Sequence, residues 1–318
     1  MLFGGASGPA LKGTVVDKSS TIAGDICAVN SEGEKVFVRI TEGSTIVEAT
    51  PIGVVVIPAS HNVYGTGECA IMSLNAMSYS TPDTGGESEQ SMYWGSYGVD
   101  VSELSNLNKV NIIGVASAQT DTITNTSYAY LPSDTFTGST CVKDENAKYY
   151  NASYNAIPSP YLTDGSRNPQ YYDTSVSNLN ALADFNGVEN TEILIGLASG
   201  QTGWETSETI TNSYSGGCFP AACCCWRYST EGTSQGDWYL PACGELGYVC
   251  ARRGAINAAL TYVIENELVM FCSTVPTDYF WSSSEYSYTS ARDVGMDIGS
   301  VYYYDMNGYS FVRGFLRV

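Results

Sequence analysis

The chain has 318 residues, 43% of them hydrophobic, which is enough for one large domain with an appendage or for two modest ones. Only 15% of residues are charged, while Tyr numbers 24 and Gly 32, so the surface must be neutral and polar. A formal net charge of -19 and a pI near 4.2 repel a phosphate backbone and exclude nucleic acid as a natural partner.

The opening residues carry no basic stretch followed by an apolar core, so no export signal is expected there, and no run reaches the length of a membrane span. Residues 1–49 hold short β-like pieces, Thr14 to Val16, Ile22 to Val29 and Val36 to Ile40, between Gly, Ser and Glu turns. They predict a small β-rich module for attachment or oligomerisation. At Pro51 the character changes. The continuous apolar run Val54 to Ile57 predicts a strand buried on both faces, and a main domain is expected over residues 50–318.

The lone histidine, His61, stands in a Ser-His-Asn turn and cannot build a histidine metal cluster. From Ser78 to Tyr172 the chain is rich in Ser, Thr, Asn, Tyr and Gly, predicting long loops on a sheet scaffold, with Val110 to Val115 a further buried strand. The ten cysteines include the triplet Cys223, Cys224 and Cys225, whose spacing matches no paired zinc frame. Beside Phe219, Trp226 and Tyr228 these thiols read as small buried hydrophobes.

After Trp238-Tyr239-Leu240 a helix is expected, with Pro241 in its first turn and Leu246, Val249 and Cys250 on one face. Glu245 at that helix start has a structural task against the dipole. A second helix is predicted from Ala255 to Glu265, with Ile256, Ala259, Leu260 and Val263 inward and Asn266 or Glu267 ending it. The closing residues Phe311 to Val318 alternate as a strand, Val312, Leu316 and Val318 on one face and Arg313 and Arg317 on the other. Phosphate loops, nucleophile elbows and metalloprotease helices are all missing from the sequence, so neither catalytic residues, a metal nor a cofactor is expected.

The stretch from Tyr286 to Ser310 is built from Tyr, Ser, Gly, Asp and Asn. Antibody paratopes use the same vocabulary, because Tyr supplies rigid amphipathic area at low entropy cost while small polar residues adapt. The alternative is an aromatic β-hairpin turning at Asn307-Gly308 in a type I′ turn.

Three pieces together carry a resemblance: Trp238-Tyr-Leu-Pro241 with Glu245-Leu246, Tyr279-Phe-Trp281-Ser-Ser-Ser284-Glu285, and Phe311-Val312-Arg313. The chain resembles the C-type lectin fold of the formylglycine-generating-enzyme-like branch, as used by target proteins of diversity-generating retroelements in bacteria and phages. The resemblance implies an α+β architecture with long loops and a variable region at about 286–310. In that family template adenines are mutated in Asn-type codons of this region, which cannot then encode Lys, Glu, Gln, Met or Trp. Between Tyr288 and Ser310 no Lys, Glu, Gln or Trp occurs, and Met296 and Met306 would be template-fixed.

Carried over residue by residue, the ligand-binding positions are Tyr288, Thr289, Ser290, Asp293, Gly295, Asp297, Ile298, Ser300, Tyr302, Tyr303, Tyr304, Asp305, Asn307, Gly308, Tyr309 and Ser310. Ala291, Arg292, Val294, Gly299 and Val301 would be scaffold. The lectin triplets that bind sugar through calcium do not occur, nor does a redox cysteine pair near the C-terminus. The resemblance therefore implies a phage receptor-binding protein on the virion surface, a tail or head appendage. Its partners would be a host cell-surface receptor, protein or glycan, and other virion proteins reached through the N-terminal module, and it would work as a homo-oligomer such as a trimer. Alternatives are a bacterial cell-surface adhesin of the same fold and a formylglycine-generating-type enzyme. Sequencing the gene tests the retroelement origin: the codons of the sixteen positions should end in a pyrimidine, and several ending in a purine would refute it.

Overall fold

The computed structural model describes residues 10–40, 45–61, 64, 67–77, 91–98, 101, 184–199, 219–296 and 301–318. The predicted strand at Val110 to Val115, and all but residues 91–98 and 101 of the expected loop region from Ser78 to Tyr172, lie outside them. Both sheets and helices are present, and the strand pairs are antiparallel, so the architecture is α+β.

Strands β1 (Ala10–Lys12), β2 (Thr14–Val16), β3 (Ile26–Asn30), β4 (Lys35–Arg39), β5 (Ile46–Ile57) and β6 (Ala70–Ser73) come first, followed by α1 (Gly187–Ala198), α2 (Pro220–Arg227) and α3 (Cys243–Glu265). Strands β7 (Tyr279–Ser287), β8 (Ser290–Gly295), β9 (Val301–Asp305) and β10 (Phe315–Arg317) close the chain. The larger sheet runs β10-β6-β5-β3-β4-β2, with β1 on the first half of β5, and the smaller one runs β7-β8-β9.

The expected boundary at 49/50 falls inside β5, which is continuous from Ile46 to Ile57. Its first half pairs with β1 and its middle with β3, while Gly53 to Ile57 pair with β6, which in turn holds the C-terminal β10. Strands β1 to β4 therefore share one sheet with the C-terminal β10. Pro51 lacks an N–H to give the ladder, and the β3–β5 register slips there, leaving Ile52 as the extra residue.

The run Val54 to Ile57 is buried on both faces, as its unbroken apolarity implies. Val54, Val56 and Ile57 join the cluster under α3, where Leu246, Val249, Ile256, Leu260 and Val263 pack. Ile52 and Val55 face the second cluster, built from Trp94, Trp238, Trp281, Phe219 and the thiols Cys223, Cys224 and Cys225 on α2. Burial pushes the Cys224 and Cys225 thiols up, so the triplet is a packing segment.

The two expected helices are one, α3, unbroken through the exposed Gly254. Pro241 precedes the N-cap Ala242 instead of occupying the first turn, and Asn266 is the C-cap, with Glu267 turning the chain at φ 50°. Glu245 does more than meet the dipole. Its Oε2 accepts the Ala242 amide at 2.8 Å, and its Oε1 accepts the hydroxyls of Tyr64 and Tyr239 at 2.7 and 2.8 Å. Arg317 stacks over both rings, 4.1 and 5.7 Å from their centroids. Burial raises the Glu245 carboxyl to about 7 even with these partners opposing it.

Arg317 also meets Glu189 at 3.3 Å, and Arg313 is buried, giving hydrogen bonds to the carbonyls of Ser73, Ser273 and Thr274. The predicted polar face of the last strand is thus an interior one, and regular pairing covers only Phe315–Arg317. His61 closes a short 3-10 turn, with its ring against Tyr248 at 5.5 Å between centroids.

Two buried indoles hold residues 91–96 against β7. Trp281 Nε1 donates to the Met92 carbonyl and Trp94 Nε1 to the Ser282 carbonyl, each at 2.7 Å. Truncating Trp281 or Trp238 to Ala is expected to cost about 3–5 kcal/mol, read by urea denaturation. Trp281→Phe, which keeps most of the volume but removes one of the Met92 carbonyl's two donors, the other being the Ser310 amide, should cost about 0.5–1.5 kcal/mol for the lost hydrogen bond.

Candidate ligand-binding face

The small sheet sets the site by its register. Trp281, Asp293 and Tyr302 lie opposite one another across β7, β8 and β9, and Ala291 lies opposite Tyr304. Directly paired residues share a face, so Tyr302 and Tyr304 stand over Asp293 and Ala291. Tyr303 projects the other way, opposite Arg292, and stacks on Tyr286 with centroids 4.2 Å apart and planes at 10°. The Arg292 guanidinium lies 4.9 Å from the Tyr286 centroid on that side.

Strand β8 is central, covered by β7 and β9, whereas β9 is an edge. The burial follows: every residue from Ser290 to Gly295 is buried, while Tyr302, Tyr303 and Tyr304 are 48, 55 and 53% exposed. Val301 and Met306, at either end of the exposed run, turn into the core, as does Met296.

The chain then turns at Asp305–Gly308, where the Gly308 amide donates to the Asp305 carbonyl at 2.6 Å. Neither Asn307 nor Gly308 has positive φ, so the type I′ hairpin turn is not formed. Gly308 is needed for another reason: a Cβ there would collide with the Tyr304 ring. Instead of a hairpin return, Ser310 pairs with Met92, and Tyr309 lies beside Tyr93, its hydroxyl donating to that of Tyr93 at 2.5 Å.

These elements border a cavity of about 410 Å³ that is open to solvent, lined by Tyr279, Tyr302, Tyr303, Tyr304 and Tyr309 with Asp293 and Ser310. Tyr279 meets Tyr302 edge to face at 5.5 Å, and Tyr304 leans on Trp281 at 6.3 Å, so the rings are braced from below. Asp293 is 4% exposed; its Oδ2 accepts the Ser310 hydroxyl at 3.3 Å, and its Oδ1 has no hydrogen-bond partner. Burial raises its carboxyl to about 6, with the Ser310 hydrogen bond pulling the other way.

Of the positions expected from sequence, Tyr288, Tyr302, Tyr303, Tyr304, Asp305 and Tyr309 are exposed, and Thr289, Asn307 and Gly308 are partly so. Ser290 and Gly295 are buried within β8, which is paired along both edges. Asp293 and Ser310 are buried yet line the cavity. Asp297, Ile298 and Ser300 lie outside the described residues, as does Gly299. The expected scaffold residues Ala291, Arg292, Val294 and Val301 are interior. Tyr93 and Tyr279 were not foreseen; only their long-range pairing brings them here, although Tyr279 opens the Trp-Ser-Ser strand already singled out.

No family model matches this chain, and no curated protein does. Among solved structures, a fimbrial protein from Bacteroides ovatus ATCC 8483 superposes at 13% sequence identity and a TM-score of 0.41, over 94% of this chain and 49% of that one. The chain thus spans about half the length of that protein, and a likeness so slight transfers neither fold nor function. Among the described residues, no helix is long and apolar enough to cross a membrane.

The Asp293 carboxyl gives a pH signature. Its folded pKa of about 6 lies above the unfolded value of about 4, so the folded state holds its proton more tightly. Its ionisation therefore removes stability as pH rises through that window. Asp293→Asn should match the parent near pH 4 and exceed it by about 1–3 kcal/mol at pH 7. Urea midpoints across pH 4–7 check this; a less stable variant at pH 7 would contradict it.

Proposed function

We propose that this chain is a recognition protein whose ligand face is the tyrosine surface of β9 and the turn after it. The observation that carries the reading is Tyr302, Tyr304 and Tyr309 standing half-exposed around one cavity, with Tyr303 exposed on the other face of β9, while their neighbours Val301 and Met306 are buried. Exposed rings of this kind are large contact area awaiting a partner, since Tyr anchors dominate binding energy at interfaces. Their braced setting lowers the entropy cost of binding.

The scaffold is read as C-type lectin-like, and the tyrosine positions as products of retroelement diversification, on the sequence motifs and on the codon-compatible composition of the window. The burial of Met296 and Met306, the two residues that such codons cannot encode, supports the reading, because fixed residues belong in the frame. On this basis the protein is a receptor-binding component of a phage appendage, attaching the particle to a host surface as a homo-oligomer that multiplies weak contacts. The adhesin alternative uses the same face.

Replacing Tyr302, Tyr303, Tyr304 and Tyr309 together with Ser should abolish binding of the labelled chain to whole bacterial cells while leaving the fold intact. Exposed substitutions change stability by about 0.5 kcal/mol or less each, so the melting temperature should move little. A large stability loss would mean that the rings are core, and retained cell binding would place the ligand face elsewhere.

A further inference from the structure

Three of the buried carboxylates other than Asp293 are compensated by several partners. Asp25 is paired with Arg39 at 2.8 Å, Glu245 has three donors with Arg317 beside them, and Asp184 accepts from Asn186, Asn190 and Ser284. Asp293 is compensated less fully than these three: Ser310 and its own backbone amide favour its charged form, its Oδ1 accepts no hydrogen bond, and among the described residues no cation pairs with it. Its sequence neighbour Arg292 is directed to the opposite face of β8, toward Tyr286.

A buried carboxylate without counter-charge is costly and is tolerated where function uses it. Here it forms part of the wall of a cavity whose remaining wall is aromatic. Tyrosine faces attract cations through the ring quadrupole, and the chain's charge of -19 raises the local concentration of cations. A neutral hydroxyl could satisfy Oδ1 but would leave the charge uncompensated, whereas a primary ammonium supplies both a donor and a charge. A quaternary ammonium supplies the charge without the donor.

We propose that the cavity takes a primary alkylammonium group, such as a lysine side chain of a protein receptor, with its nitrogen at Asp293 and its methylenes against Tyr302, Tyr304 and Tyr309. The inference rests on the recognition reading above and names the chemistry of its ligand.

The test titrates the intact chain with n-butylamine, 1-butanol, choline and a methyl galactoside, followed by the tyrosine ring signals in NMR. Butylamine should bind at least about tenfold more tightly than butanol, and Asp293→Asn should erase that preference. Equal binding of butanol or the galactoside overturns the inference, as does an undiminished amine preference in Asp293→Asn. Choline binding ahead of butylamine would assign the cavity to quaternary ammonium headgroups instead. Because these readings need no cell attachment, they separate from the recognition reading: loss of cell binding in the tyrosine variant without any amine preference sinks this inference alone.

Discussion

The tyrosine face depends on a reciprocal pair of indole hydrogen bonds. Trp94 and Trp281, both essentially inaccessible, each give Nε1–H to a carbonyl on the other's segment. An indole has one donor and no acceptor, so each ring can be buried at little cost only if its N–H finds such a carbonyl. The exchange fixes residues 91–96 beside β7, and from there the backbone reaches further. The amides of Trp94 and Gly95 donate to the Met306 carbonyl, and Met92 and Ser310 bond each other across an isolated bridge. The turn that carries Tyr309 is therefore held from beneath by a segment distant from it in sequence. A recognition surface made this way keeps its rings placed before a ligand arrives, which limits the ordering cost of binding.

A layer of buried polar groups performs the corresponding work inside. Ser282, Ser283 and Ser284 lie within β7 and would be poor core residues without partners. Ser282 donates to the Arg292 carbonyl, Ser284 to Asp184, and Asn190 reaches both Asp184 and Ser283. This knits α1 and the start of α3 to the sheet that bears the face. Glu245 repeats the theme at the helix N-terminus, where two phenols, an amide and a nearby guanidinium offset part of the cost of its burial. Against that background Asp293 is informative because the same chemistry is left incomplete at the cavity.

Much of this was legible in the sequence. An unbroken run such as Val54 to Ile57 can only be a strand covered twice, and helical spacing picked out the inward residues of α3. Composition alone marked the window from Tyr286 to Ser310 as unusual. What composition cannot supply is strand position. Ser290 and Gly295 have the same paratope-like chemistry as their neighbours, yet they sit in a middle strand, and Tyr302 to Tyr304 in an edge. The split of α3 into two helices was an error of propensity, since a single exposed Gly254 costs only about 1 kcal/mol and tertiary packing overrides it. The expected boundary at 49/50 falls within a continuous strand because Pro51 reads as punctuation, whereas here it marks a bulge inside β5. Tyr93 and Tyr309 are 216 residues apart, and no local pattern links them.

The central claim is that a tolerant face sits on an intolerant frame. It is tested most directly by saturating every position from Ser290 to Ser310 with all residues, displaying the library, and scoring folded protein after a heat challenge. The account predicts broad tolerance at Tyr302, Tyr303, Tyr304, Asp305 and Tyr309, beside sharp intolerance at Ala291, Val294, Val301 and Met306. Uniform intolerance from Val301 to Tyr309 would show that the tyrosines are structural and would contradict the account.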